Sequence, residues 1–185
     1  MPLARYLARR RRRDSAAHDL YVTVVGQARQ PGLYLRYGVA DTLDGRFDLL
    51  VAHAFLLMRR LGGIAGAQAG DAKVLSQALF DLMFADMDQN LREIGVNDVS
   101  IGKKVKQMAR AFYGRVAAYD AGFAQDGAAL AEAVARNLYR GAPPSAEAAA
   151  AFALYLRRQA AYLAGQGDDE LLAGRVAWAA EEGAA

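Results

Sequence analysis

The sequence predicts an all-α fold of about seven helices built around a central antiparallel helical hairpin. Three observations predict it. Apolar residues recur at three- and four-residue steps over most of the chain, which is the spacing of a helical stripe. No stretch shows the two-residue alternation of a half-buried strand. Two long stripes, over 75–94 and 101–119, lie in helices joined by about four residues, short enough to fold one helix back on the other.

Along the chain, residues 14–30 place Leu20, Val24, Val25 and Ala28 on one side, with Asp14 or Ser15 as the cap. Gln30-Pro31-Gly32 ends this helix, because proline cannot continue it and glycine permits the turn. Leu33 to Tyr37 is read as an extended or one-turn connector, with Tyr34 and Tyr37 as lids on the core. Asp41 or Thr42 starts the next helix, whose stripe is Phe47, Leu50, Val51, Ala54, Phe55, Met58 and Leu61. Arg59 and Arg60 suit its negative end, and Gly62-Gly63 stops it. His53 lies one step off that stripe and is read as a boundary residue. Residues 62–71 read as a flexible surface loop. No strand precedes Gly63-x-x-Gly66 and no Gly-Lys-Ser/Thr follows, so it is not a phosphate loop.

The first hairpin helix carries Leu75, Leu79, Leu82, Met83, Met87, Leu91 and Ile94 against a charged face of Asp81, Asp88, Arg92 and Glu93. Gly95 marks its stop. The second carries Ile101, Val105, Met108, Ala109, Phe112, Val116 and Tyr119. A turn is expected at Asp120-Ala121-Gly122 and Gln125-Asp126-Gly127, then a helix over 128–140 with Leu130, Val134 and Leu138 inward. Pro143-Pro144 breaks the chain. Ser145-x-Glu147 starts an alanine-rich helix with Phe152, Tyr155, Leu156, Tyr162 and Leu163. A last helix, about 168–181, carries Leu171, Leu172, Val176 and the single tryptophan, Trp178. Three regions follow: a basic flexible arm (1–13), a helical domain (14–142), and C-terminal helices (143–185) packing on the same domain.

The net charge of +3 conceals an asymmetry. Residues 1–13 hold Arg5 and Arg9 to Arg13 with no acid, while the remainder has 17 basic and 20 acidic residues. A pI near 9.3 therefore reflects the arm and implies neither a basic domain nor DNA binding. Arg9, Arg10, Arg11, Arg12 and Arg13 are candidates for a tether to anionic lipid headgroups or to ribosomal RNA. The run meets Asp14, not an apolar stretch, so no secretory signal is read there. With no cysteine there are no disulfides or thiolate metal sites, and no apolar run reaches the length of a membrane span.

No chemical constellation emerges. Asp86-x-Asp88-x-Asn90 matches the opening of a calcium loop, but that loop needs glycine at its sixth position and glutamate at its twelfth, where this chain has Leu91 and Asn97. There is no nucleophile motif, and His18 and His53 lie far apart in sequence. No cofactor or metal is expected. Lys103, Lys104 and Lys106 crowd the positive end of a helix, which is unfavourable unless acids or an anionic partner offset them. Arg46 and Arg115, each beside a glycine, are read either as partner-binding or as buried in salt bridges that set helix packing.

Several blocks carry a family resemblance. They are Gly38-Val39-x-Asp41-Thr42-Leu43-Asp44-Gly45-Arg46-Phe47-Asp48, the run from Leu79-Phe80-Asp81 through Asn90-Leu91-Arg92-Glu93-x-Gly95-Val96-x-Asp98, then Gly102-Lys103-Lys104-Val105-Lys106-x-Met108, and Tyr113-Gly114-Arg115. In this order, over roughly 20–140, the chain resembles the ubiquinol–cytochrome c chaperone family, as a bacterial member. The resemblance implies a non-catalytic assembly factor for the cytochrome bc1 complex, with newly made cytochrome b or another bc1 subunit as client. It further implies a small helical partner protein and a place in the cytoplasm, peripheral at the inner membrane (the matrix side for mitochondrial members). Candidate partner-binding residues are Arg46, Asp81, Asp88, Arg92, Glu93, Lys103, Lys104, Lys106 and Arg115. Two other readings stay open: a ribosome, RNA or membrane-surface adaptor acting through the arginines, and a helical carboxylate or metal enzyme.

Overall fold

The computed structural model describes residues 2–125 and 128–180. Among them there is no strand. The elements are α1 (Pro2–Ala28), α2 (Pro31–Leu35), α3 (Leu43–Gly62), a 3-10 turn (Gly66–Gln68), α4 (Ala69–Glu93), α5 (Asp98–Ala124), α6 (Ala129–Asn137), α7 (Ala146–Ala164) and α8 (Asp168–Leu172). The all-α expectation is met. The expected turn at Gln125-Asp126-Gly127 falls partly outside the described residues, as does the side chain of Arg5.

The chain forms two compact units. The first comprises residues 1–23, 58–111 and 166–176, and the second 24–57, 112–165 and 177–185. In the first unit, Arg9 of α1 pairs with Asp71 of α4, and further along the Tyr21 hydroxyl donates to Asp86 Oδ2 at 2.6 Å. Later residues of one helix meet later residues of the other, so α1 and α4 run parallel. Leu20, Leu75, Leu79, Met83, Met87 and Leu91 of these helices are buried. The Arg60 guanidinium holds the Gln166 carbonyl at 2.7 Å and the Asp168 carboxylate, seating α8.

The second unit is aromatic. Tyr37 meets Phe152 and Tyr155 with ring centroids 5.5 and 5.4 Å apart, and Phe55 lies 5.7 Å from Tyr119. Its most enclosed stretch is Val51 to Leu57, seven consecutive buried residues of α3. A helix buried on every side is apolar all round, which is how this run reads apart from His53.

Several local expectations change, and α5 runs straight through the turn expected at Asp120-Ala121-Gly122. The arginine run lies inside α1, not ahead of the first helix; no breaker separates it from residue 14, arginine is a good helix former, and Arg10 pairs with Asp14 one turn on. The 62–71 loop contains a 3-10 turn and the first residues of α4. The last helix stops at Leu172 because Gly174 takes φ 83°, and the Arg175 and Gly174 amides close back on the Glu170 and Leu171 carbonyls at 2.9 and 3.0 Å. His53 is fully buried, not at a boundary.

Candidate functional site

In the first unit the sequence-predicted charges lie along α4 and the start of α5. Asp81, Asp88 and Arg92 fall on one stripe of α4, and Glu93 sits about 100° from Arg92 around the helix. Arg92 bridges the turn, donating from Nε to Asp88 Oδ2 at 2.8 Å and from Nη1 to Asp98 Oδ1 at 2.7 Å. These carboxylates raise the Arg92 pKa, Asp88 most. Asp81 accepts from Gln77 at 2.7 Å, and Glu93 from Gln89 at 2.9 Å. The segment that opens like a calcium loop is continuous helix with Leu91 buried, and Asp86 is tied to Tyr21 and Asn90. Among the described residues no cluster of three or more potential metal ligands forms.

The α4–α5 turn is set by Gly95, whose φ of 81° lets Gly95 and Val96 close on the Arg92 and Leu91 carbonyls, both at 3.0 Å. Asn97 then caps α5, its Oδ1 accepting the Val99 amide at 3.0 Å. Lys103, Lys104 and Lys106 are all exposed, and Lys103, Lys106, Gln107 and Arg110 line a shallow concavity of about 280 Å³. Of the tether candidates, Arg9 to Arg12 are exposed and Arg13 is half-buried against Asp14 at 2.7 Å.

Arg46 and Arg115 belong to the second unit, and their environments differ. Arg46 is 62 % exposed and grips Asp41 at 2.6 Å, holding that carboxyl below its usual range. Arg115 is 12 % exposed and meets the fully buried Asp48 at 2.6 Å. Its guanidinium also stacks over Phe47, 5.4 Å from the ring centroid. Arg140 approaches Asp44 and Asp48, each at 3.3 Å. It does so from the left-handed region, at φ 53°, a conformation that costs a non-glycine residue about 1–2 kcal/mol. Burial pushes the Asp48 carboxyl up to about 6, against the charges of Arg115 and Arg140, which pull it down. Tyr139 donates to the Tyr37 carbonyl at 2.7 Å, and burial pushes its hydroxyl up to about 12.

Sequence reasoning missed a second polar group in this unit. His53 donates from Nδ1 to the Leu49 carbonyl at 2.7 Å and accepts the Tyr155 hydroxyl proton at Nε2 at 2.6 Å; Gln27 donates to the same hydroxyl at 2.9 Å. Burial pushes His53 down to about 4, so the ring is neutral. Gln159, also fully buried, clasps the Ala179 amide and carbonyl at 2.8 and 2.9 Å and so presents Trp178 edge-on to His53, 5.4 Å between centroids. The available signal was a histidine inside the otherwise apolar run Leu49 to Met58; Gln159, which follows two arginines, carried none.

The fold and these sites define an all-helical protein whose shared motif charges split between an exposed stripe and an interior ion-pair cluster. The chain belongs to the ubiquinol-cytochrome C chaperone family, whose sequence pattern it matches over residues 35–178. It is 26 % identical over 164 residues to ubiquinol-cytochrome c reductase complex assembly factor 1 of Mus musculus and of Homo sapiens. That alignment covers 88 % of this chain, which spans about half, 54 %, of those relatives. The Xenopus laevis protein of the same name is 26 % identical, with 80 % of its length covered. The crystal structure of the Cbp3 homolog from Brucella abortus superimposes with a TM-score of 0.82 at 31 % identity, covering 97 % of both chains.

Proposed function

We propose that this protein is a non-catalytic assembly factor of the ubiquinol–cytochrome c reductase complex. It binds newly made cytochrome b and works peripherally at the inner membrane. The observation that carries this reading is the end-to-end likeness to the Cbp3 homolog, together with relatives named for assembly of that complex. The charges of the first unit support it. Asp81, Asp88, Glu93, Lys103, Lys104 and Lys106 stand along two helices in one unit, suited to gripping the flanks of an apolar client segment. A small helical partner protein belongs to the same proposal.

The test is deletion of the gene in its own organism, followed by haem-b spectra and subunit levels in membranes. The expected result is selective loss of cytochrome b with other membrane complexes intact, restored by the wild-type gene. Complementation by a folded variant with all six charges reversed should fail. Normal cytochrome b in the deletion strain would overturn the reading. An adaptor acting through the arginines is separated by replacing Arg10, Arg11 and Arg12 with glutamine, which keeps α1 helical and removes the charge.

A further inference from the structure

We propose that the α4–α5 turn and the first turns of α5 form a docking face for an anionic lipid surface. This rests on the membrane-side reading above for where the protein works, and it names the surface that makes the contact. Ile94 and Val99, 62 % and 90 % exposed, project from the turn as large aliphatic side chains. The Gly95 closure and the Asn97 cap fix the turn, and Ile101, only 1 % exposed, anchors it from the opposite side of the helix. Val99 is therefore held outward by geometry.

Cations stand directly behind these aliphatics. Val99, Lys103, Lys106 and Arg110 are spaced four, three and four residues apart, so they share one face of α5 over three turns. None of the three cations has a salt-bridge partner among the described residues. From Arg92 to Arg110 the sequence holds five cations and two carboxylates, and one of those acids, Asp98, is already taken by Arg92. The concavity between Lys103, Lys106, Gln107 and Arg110 offers donors on one wall to a phosphate group.

The aliphatic tip selects the partner. RNA phosphates would satisfy the cations but leave Ile94 and Val99 in water. A lipid interface takes both, with aliphatics at the acyl boundary and ammonium and guanidinium groups among the headgroups. Lysines at the positive end of a helix, unfavourable in isolation, acquire their counter-charge on docking.

The experiment is co-sedimentation of the full chain with vesicles of phosphatidylglycerol and phosphatidylcholine, and of phosphatidylcholine alone. Binding is expected on the anionic vesicles only, and it should weaken as salt rises. Each cation is expected to contribute about fivefold in partitioning, so a Lys103→Gln, Lys106→Gln, Arg110→Gln variant should lose about a hundredfold. Val99→Asn should lose most binding while Val99→Leu keeps it, which separates insertion from charge. Far-ultraviolet circular dichroism and thermal unfolding verify that each variant is folded. Equal binding to neutral vesicles, or no loss in the triple variant, overturns the proposal. So does binding of an oligonucleotide through these residues by a chain that ignores vesicles. Selective loss of cytochrome b on gene deletion, without vesicle binding by the wild-type chain, would overturn this inference and leave the assembly-factor reading standing. Vesicle binding through this face, with normal cytochrome b in the deletion strain, would support the inference and overturn that reading.

Discussion

Asp48 and Arg115 meet at 2.6 Å, with the Asp48 side chain entirely out of solvent. A buried pair of this kind gives little net stability over a well-packed apolar pair, yet losing one partner is costly because the other charge is left in the interior.

The Asp48–Arg115 pair should therefore show strong coupling. Arg115→Ala is expected to cost about 3–5 kcal/mol in urea unfolding, whereas Asp48→Leu combined with Arg115→Met should cost much less than the two single changes together. A cost for Arg115→Ala below about 1 kcal/mol would mean that Arg140 alone suffices for Asp48.

Two buried groups of the second unit should give opposing pH slopes. Asp48 has its folded value raised from 3.8 to about 6, so in that window the folded state binds more protons than the unfolded one. Its contribution to stability falls as pH rises through the window. His53 is lowered from 6.5 to about 4, so the unfolded state binds more protons there, and its contribution rises with pH. In Asp48→Asn, urea midpoints should climb from pH 4 to pH 6.5 more steeply than in the wild type. In His53→Asn they should fall from about pH 4 to about 6. Identical profiles for all three proteins would rule out titration at these sites.

Gln159 fixes the chain beyond α8. Gln159→Leu removes both bonds to Ala179 and should cost about 1–3 kcal/mol. Because Trp178 is the sole tryptophan, its emission should shift to the red, and amide exchange at Ala179 should accelerate. Unchanged emission would show that Trp178 packs against His53 without the clasp.

Two glycines predict opposite results. A Cβ on Gly45 would fall 2.0 Å from the Ala40 carbonyl oxygen, a backbone atom with nowhere to go, so Gly45→Ala should cost at least about 2 kcal/mol. A Cβ on Gly26, within α1, meets nothing within 4 Å, and Gly26→Ala should stabilise by about 0.5–1 kcal/mol. Thermal unfolding of the two variants reads both signs.

The helices were legible because their apolar stripes are long and their stops are glycine or proline. The caps at Ser145 and Asn97 fall where short polar residues precede a stripe. What the pattern hid was enclosure. Periodicity finds one stripe and calls the rest exposed, so His53, one step off, read as peripheral when α3 is covered all round. The stripes over 75–119 read as the chain's centre, yet most of α5 from Asp98 to Arg110 is open to solvent while Val51 to Leu57 is not. Asp48 stands in the 38–48 motif, but only the approach of Arg115 and Arg140 shows it to be the junction of three segments distant in sequence. The pairing of Arg46 with Asp41 left one of two similar arginines at the surface and the other inside, a difference that flanking glycines do not encode.

Because α1 and α4 run parallel and Arg9 is fastened to Asp71, the arginine cluster lies at one end of α4 and the lysines at the other. From Asp71 to Glu93 the helix measures about 33 Å. The unit thus carries two separate positive poles, each too far from the other to serve one small target. A flat boundary touches both only when α4 lies along it, and touches one when α4 stands upright. The tilt of α4 therefore decides how many addresses the molecule can answer at once.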